Sequence, residues 1–257
     1  MSDSLVTPER RTLAPTRGPE SILPVVLDQV SYTTGGVTLL DQVSFRIRPG
    51  RLTTIMGANG AGKTLCLRLI QGLLHPTSGS LNHAAGPVTQ AGRRRIATVF
   101  QRPVLLRRSV TGNLRHALKT YRTPRSERAA LLSDLLDLAG LRALAHRSAR
   151  VLSSGEQQRL SIVRALAAEP DLLLLDEPTA NLDPYATRMI ETLIRQAEMR
   201  GVTVVLVTHD VGQARRLADD VIFLNRGRVS EQTPAATFFD APQTAESSAY
   251  LAGRLLL

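Results

Sequence analysis

The eight residues GANGAGKT, Gly57 to Thr64, constrain this chain more than any other stretch. They fit the spacing G-x-x-x-x-G-K-[ST]. They also follow an apolar strand-like run, LTTIM, and precede a helical pattern beginning near Gly62, which is the context a phosphate-cradling loop requires. Successive backbone N–H groups in such a loop point into one concavity, and the positive end of the next helix reinforces them. Gly57, Ala58, Asn59, Gly60, Ala61 and Gly62, with Lys63, Thr64 and Leu65, are therefore the candidate nucleotide-binding set. Lys63 supplies a point charge for β- and γ-phosphates, and the Thr64 hydroxyl can ligate Mg2+.

The rest of the chain supplies the sheet that such a loop needs. VVLDQVSY and DQVSFRI alternate as strands do, and RIATVF ends in a further strand just before Gln101. DLLLLDE and VTVVLVTHD are short continuous apolar runs, which suit central parallel strands covered on both faces. In open α/β sheets ligands gather at the carboxyl ends of strands, where this chain places Gly57, Gln101, Asp176, Glu177 and His209. Two adjacent carboxylates at a strand end can point different ways. Asp176 can hold a metal through water, while Glu177 faces a γ-phosphate and an attacking water.

Between Val110 and Gly140 the pattern is helical with few β-branched residues, so a helical subdomain is expected over about residues 102–165. Residues 1–23 mix Pro, Thr, Ser and Arg without apolar periodicity and read as a flexible lead-in, which leaves residues 24–257 as one domain. VLSSGEQQRL, from Val151, places Ser153 three residues before Glu156, the spacing of a capping box at a helix start.

Composition narrows the class. The formal net charge of +10 is nearly all arginine, since Lys63 and Lys119 are the only lysines, and it points to an anionic partner or a solvated basic surface. The basic clusters read as spread along the chain, at GRRR (92–95), LRRS (106–109) and ARRL (214–217). One cysteine, Cys66, excludes an internal disulfide framework and a cysteine zinc site; it is expected to be a buried small apolar residue. No apolar run approaches a membrane span and the N-terminal segment has no apolar core like that of a signal peptide, so any membrane role is expected to come through a partner.

The phosphate loop, Gln101 after a strand, LSSGE, LLLLDEP, NLD and THD occur in the order seen in ATP-binding subunits of ABC transporters, and the resemblance covers roughly residues 25–240. It implies an α/β fold: a P-loop NTPase core with a mainly parallel sheet, an antiparallel β subdomain near the N-terminus and an inserted helical subdomain. It implies an ATPase that uses Mg2+ with ATP. Tyr32 would stack on adenine, Gln101 would reach the metal and the membrane subunits, Glu177 would be the general base and His209 would meet the γ-phosphate. Asp183 would communicate across a dimer interface.

The resemblance also gives LSSGE a second task. Ser153, Ser154, Gly155 and Glu156, with the helix start behind them, would face the nucleotide held by a second copy of the chain. This segment departs from the family's usual LSGGQ, with Ser154 for a glycine and Glu156 for glutamine; a serine is small enough to fit.

The implied partners are transmembrane permease subunits, a second copy, and indirectly a solute-binding protein outside the membrane, with no nucleic acid expected. The implied place is the cytoplasmic face of the inner membrane. The rival classes are an ABC-type ATPase of nucleic-acid repair or translation, and a signalling ATPase tied to a membrane complex. Tandem nucleotide domains, long coiled-coil insertions and zinc cysteines, usual in the former, are missing here. For cargo, FQRPVLLRRSV (100–110) looks most like tungstate-type oxyanion importers, with phosphate next, and the ending FFDAPQTAESSAYL looks like importers of oxyanions or polar amino acids.

Overall fold

A computed structural model describes residues 21–84 and 86–254. Two sheets organise it. In the first, β1 (Val25–Thr34) lies between β2 (Val37–Ile47) and β4 (Ser78–Asn82), all antiparallel. The second has six strands in the order β5 (Ile96–Val99), β6 (Leu172–Asp176), β7 (Thr203–Val207), β3 (Leu52–Met56), β8 (Asp220–Asn225) and β9 (Arg228–Pro234). Its first five strands run parallel, and β9 returns antiparallel at the edge.

The parallel strands are apolar throughout because both faces are covered. Side chains alternate across a strand. Leu173, Leu175, Val204 and Leu206 therefore enter one core, while Leu172, Leu174, Val205 and Val207 enter the other. The first core is closed by α3 (Val110–Thr120), α4 (Arg128–Leu138), α5 (Ser154–Leu166) and α6 (Pro184–Met199). The second is closed by the antiparallel sheet and by α1 (Lys63–Ile70), where Cys66 is fully buried. A smaller core of Met56, Val221, Phe223, Phe238 and Phe239 lies under α7 (Val211–Leu217), α8 (Ala235–Asp240) and α9 (Ala245–Leu251).

The sheet's amino ends are tied by ion pairs. Arg95, just after the short helix α2 (Gln90–Arg93), forms a bidentate pair with the buried Asp171 at 2.7 Å in each bond. Arg51 and Arg48 both reach the buried Asp220. The fork geometry and burial of these carboxylates make them firmer than exposed pairs.

Most of the expected lead-in lies outside the described residues, but its last part belongs to the fold. Ile22 and Leu23 are buried beside Val25. The Ile22 N–H donates to Asp171 Oδ2 at 3.3 Å, and the Ile22 carbonyl accepts from the Ala84 N–H at 3.1 Å. Packed structure therefore begins at least two residues before the boundary read from the sequence. Among the described residues, no helix is long and apolar enough to cross a membrane.

Candidate active site

The loop between β3 and α1 is shaped by glycines. At Gly57, φ is 145° and an added Cβ would stand 2.1 Å from the Leu224 carbonyl oxygen, so no side chain fits. At Gly62, φ is 101° and the added Cβ would meet Leu40 Cδ2 at 2.4 Å. Gly62 caps α1 without a side-chain hydrogen bond, and no acidic residue occupies the first turn. The free N–H groups of that turn are left for an anion.

Lys63 is buried. Its Nζ donates to the carbonyls of Gly57 at 2.8 Å and Ala58 at 3.0 Å. Burial lowers its pKa from the usual lysine range, while the charges of Glu177 and then Asp176 pull it back up. The ammonium is thus held by neutral oxygens that phosphate oxygens can replace. Ala58, Asn59 and Gly60 form the exposed lip of the loop, Ala61 is buried, and Leu65 is partly buried in the second core.

β6 delivers the two carboxylates, and they diverge. Asp176 accepts hydrogen bonds from the exposed Thr64 hydroxyl, at 3.0 Å to Oδ2 and 3.2 Å to Oδ1. Burial raises the Asp176 pKa; the Thr64 hydrogen bond opposes that, the Glu177 charge adds to it, and Lys63 and Arg68 oppose it. Glu177 turns away because its backbone is left-handed, with φ 47°, and its N–H donates to the Val207 carbonyl at 2.9 Å. A bulky residue in that conformation is strained and persists only when its surroundings hold it. The Glu177 Oε2 lies 3.2 Å from Nδ1 of His209, an exposed ring just past β7.

Thr64 and Asp176 form a fitting seat for a hard divalent cation. Two oxygen ligands and a partly desolvated carboxylate suit Mg2+, which takes its remaining ligands from phosphates and water rather than from a protein cage. The described residues contain no cluster of three or more His, Cys, Asp or Glu able to hold a metal alone.

Other sequence-expected residues sit around this centre to different degrees. Tyr32, partly buried on the second core, pairs with Leu40 across β1 and β2, and the Leu40 side chain lies against Gly62 at the start of α1. Gln101 is exposed after β5, and among the described residues no hydrogen bond or ion pair joins it to Thr64, Asp176 or Glu177. Its loop is anchored from α5, where Gln158 Nε2 donates to the Phe100 carbonyl at 3.2 Å.

LSSGE forms the capping box read from its spacing. The Ser153 hydroxyl accepts from the Glu156 N–H at 3.3 Å, and Glu156 Oε2 accepts from the Ser153 N–H at 2.7 Å. Ser153 and Ser154 are exposed, while Gly155 is buried against α6, its added Cβ only 2.7 Å from Ala186 Cβ. Asp183 caps α6 by accepting from the Ala186 N–H at 2.9 Å. The starts of α5 and α6 therefore lie side by side. No hydrogen bond among the described residues connects either start to Lys63, Thr64, Asp176 or Glu177 of the same chain.

One neighbour of the site was not read from the sequence. The Tyr250 hydroxyl, on α9, donates to the His209 carbonyl at 3.3 Å, and its ring packs on Phe223 with centroids 5.0 Å apart. Burial raises the Tyr250 pKa, opposed by a hydrogen bond with the backbone of Gly57, with Glu177 and Asp210 adding to the rise. A lone tyrosine in a C-terminal helix carries no motif spacing, so only the fold reveals it.

Comparison with known proteins shows the family. Residues 40–180 match a family described as ABC transporter. The chain is 37% identical over 243 residues to the "Phosphate import ATP-binding protein PstB 2" of Natronomonas pharaonis, covering 88% of this chain and 86% of that protein. It is 38% identical over 208 residues to the "Tungstate uptake system ATP-binding protein TupC" of Peptoclostridium acidaminophilum, covering 80% and 97%. Other relatives, 36% and 38% identical, are named for import of Fe(3+) ions and of methionine. Among solved structures, cbiO1 of Clostridium perfringens, part of the ABC transporter complex cbiONQ, superposes with a TM-score of 0.79 at 28% identity, over 90% of this chain and 95% of that one.

Proposed function

The chain belongs to the ATP-binding proteins of the ABC transporter family, which are ATPases, and from that premise we propose that it powers solute import by closing and reopening as a dimer on ATP. The observation that carries this reading is the divergence of the adjacent carboxylates at the mouth of the phosphate loop, Asp176 onto Thr64 and Glu177 onto His209. One carboxylate is placed for a metal and the other for a proton.

In the proposed cycle, ATP phosphates replace the Gly57 and Ala58 carbonyls on the Lys63 ammonium, and the N–H groups of the loop and of the first turn of α1 receive their oxygens. Tyr32 covers the adenine. Thr64 and Asp176 would hold Mg2+, and Gln101 would reach toward the same ion and toward the permease. When bound, Mg2+ neutralises phosphate charge. Glu177 takes the proton of the attacking water, and His209, whose Nδ1 faces that carboxylate, orients Glu177 and contacts the γ-phosphate. Ser153, Ser154, Gly155 and Glu156 present the positive start of α5 to the γ-phosphate of a second copy, and Asp183 at the adjoining start of α6 reports across the interface.

The groove between the Gln101 loop and the inserted helical subdomain would seat transmembrane permease subunits at the cytoplasmic face of the membrane, with a solute-binding protein delivering cargo from outside. Tungstate or another oxyanion is the proposed cargo class, supported by the TupC and PstB relatives; polar amino acids are the alternative, and relatives named for iron and methionine show how widely cargo varies around similar ATPases.

The test is Glu177→Gln. The amide keeps the shape of the site but cannot take a proton, so turnover falls by about a hundredfold or more while ATP binding and the ATP-bound dimer persist. Steady-state hydrolysis near the parental rate would remove Glu177 from the general-base role.

A further inference from the structure

The positive charge is not spread along the chain. Residues 93–125 hold ten of the 32 Lys and Arg residues and none of the 22 Asp and Glu, so the remaining 22 cations balance the 22 acids elsewhere. No acidic residue at all occurs between Asp41 and Glu127. The whole net charge of +10 is therefore carried by β5, the Gln101 loop and α3 with its flanks.

The fold turns this segment into one stripe. α3 buries Val110, Leu114, Ala117 and Leu118 and leaves Arg115, His116 and Lys119 on its outer face. Arg108, Arg115, His116, Lys119 and Thr120 line one shallow groove. Thr120 also lines the next, with Arg94, Tyr121 and Arg122; Arg95, held by Asp171, and Glu169 stand at its far side, so the basic surface follows the outer face of a helix about 16 Å long and ends at that acidic border. Arg108, Arg115, Lys119 and Arg122 are exposed and form no ion pair among the described residues. β5 is the edge strand of the sheet, so this helix lies on an outer flank.

The geometry points to a contact between this stripe and the anionic headgroups of the bilayer itself. The inference rests on the proposed seat of the chain at a membrane permease, and adds a partner to it. Cytoplasmic loops of membrane proteins carry an excess of Lys and Arg, so they repel such a stripe rather than complement it. The lipid leaflet supplies the opposite sign over a broad surface, and each cation held near it adds attraction. The exposed Tyr121 beside Arg122 has the amphipathic character that suits a headgroup layer, and Val104, 69% exposed, adds an apolar point next to the same loop.

The experiment is flotation of the full-length purified chain, without permease and without ATP, on phosphatidylcholine vesicles with or without roughly a third phosphatidylglycerol. The chain binds the anionic vesicles at low salt, at least about tenfold more tightly than the neutral ones, and high salt releases it. Arg115→Gln with Lys119→Gln weakens that binding about tenfold or more and leaves ATPase activity in solution unchanged. Arg46→Gln, on β2 beside the opposite sheet edge, changes it by less than about threefold. Equal binding to both vesicle types, no binding to either, or parental binding by the double variant would overturn the inference. Capture by polyglutamate but not by anionic vesicles would assign the stripe to an acidic protein segment instead. Because neither ATP nor permease is present, failure here leaves the transport reading standing, and failure of Glu177→Gln to arrest turnover leaves this one standing.

Discussion

Ser153 is given two tasks, capping α5 and meeting the γ-phosphate of a second copy, and Ser153→Asp separates them. The cap needs only an acceptor for the Glu156 N–H, now 3.3 Å from the serine oxygen. Aspartate is as good an N-cap as serine, and its charge suits the helix start; its proximity to Glu156 offsets a few tenths of a kcal/mol. Monomer stability should therefore shift by less than about 0.5 kcal/mol, whereas Ser153→Ala, which removes the acceptor, loses about 1 kcal/mol. The interface responds differently. A serine that accepts from the helix still has its own proton to donate to phosphate; a carboxylate has none and adds a negative charge. One unit charge about 4 Å from a phosphate charge, at an effective dielectric of about 20, costs about 4 kcal/mol, roughly a thousandfold per site. In a Glu177→Gln background, size-exclusion chromatography with ATP should show the parental dimer and the Ser153→Asp monomer, while urea titrations of the two monomers coincide. If the variant dimerises with ATP as the parent does, LSSGE is a helix cap and nothing more.

Lys63→Ala removes charge-assisted contacts made in the ground state, so ATP affinity measured by calorimetry drops about ten- to a hundredfold; unchanged affinity would contradict the placement of Nζ. Tyr250→Phe keeps the ring on Phe223 but deletes the hydroxyl that steadies the His209 carbonyl. Turnover should fall about fivefold with little change in KM or melting temperature, and equal turnover would show that the hydroxyl holds nothing the reaction uses. Burial pushes the Cys66 thiol up to about 12, so an aromatic disulfide reagent at mildly alkaline pH leaves the folded chain untouched and labels it only after denaturation. Rapid labelling of the native protein would mean that α1 opens readily.

What could be read from the sequence was what local spacing encodes. The phosphate loop, the paired carboxylates and the capping box are each defined within eight residues, and the apolar runs before Asp176 and His209 announced buried parallel strands ending in polar residues. Contacts between distant segments were hidden. Ile22 and Leu23 are two apolar residues after a Pro- and Ser-rich run, too few to show a period, and their burial depends on Asp171 and Ala84. β4, SGSLN, has no apolar alternation and is a strand only because β1 offers it an edge. Arginine clusters looked scattered because reading along the chain does not show which of them folding brings onto one helix face. Tyr250 reaches the site from more than 40 residues beyond His209, with no motif to mark it.

The hydrogen bond from Gln158 to the Phe100 carbonyl has a mechanical consequence. Ser153 at the start of α5 and Gln158 one and a half turns later belong to one stiff rod, a separation of about 7.5 Å along its axis. Gly155 gives that rod its pivot, pressed onto Ala186 with no room to slide. In the proposed dimer, loss of a γ-phosphate from the other copy releases one end of a lever whose further point grips the residue before Gln101. In that dimer the nucleotide sensed through α5 would be the neighbour's, while the loop before Gln101 that α5 pulls would be the chain's own, so a signal read from one copy would be delivered through the other.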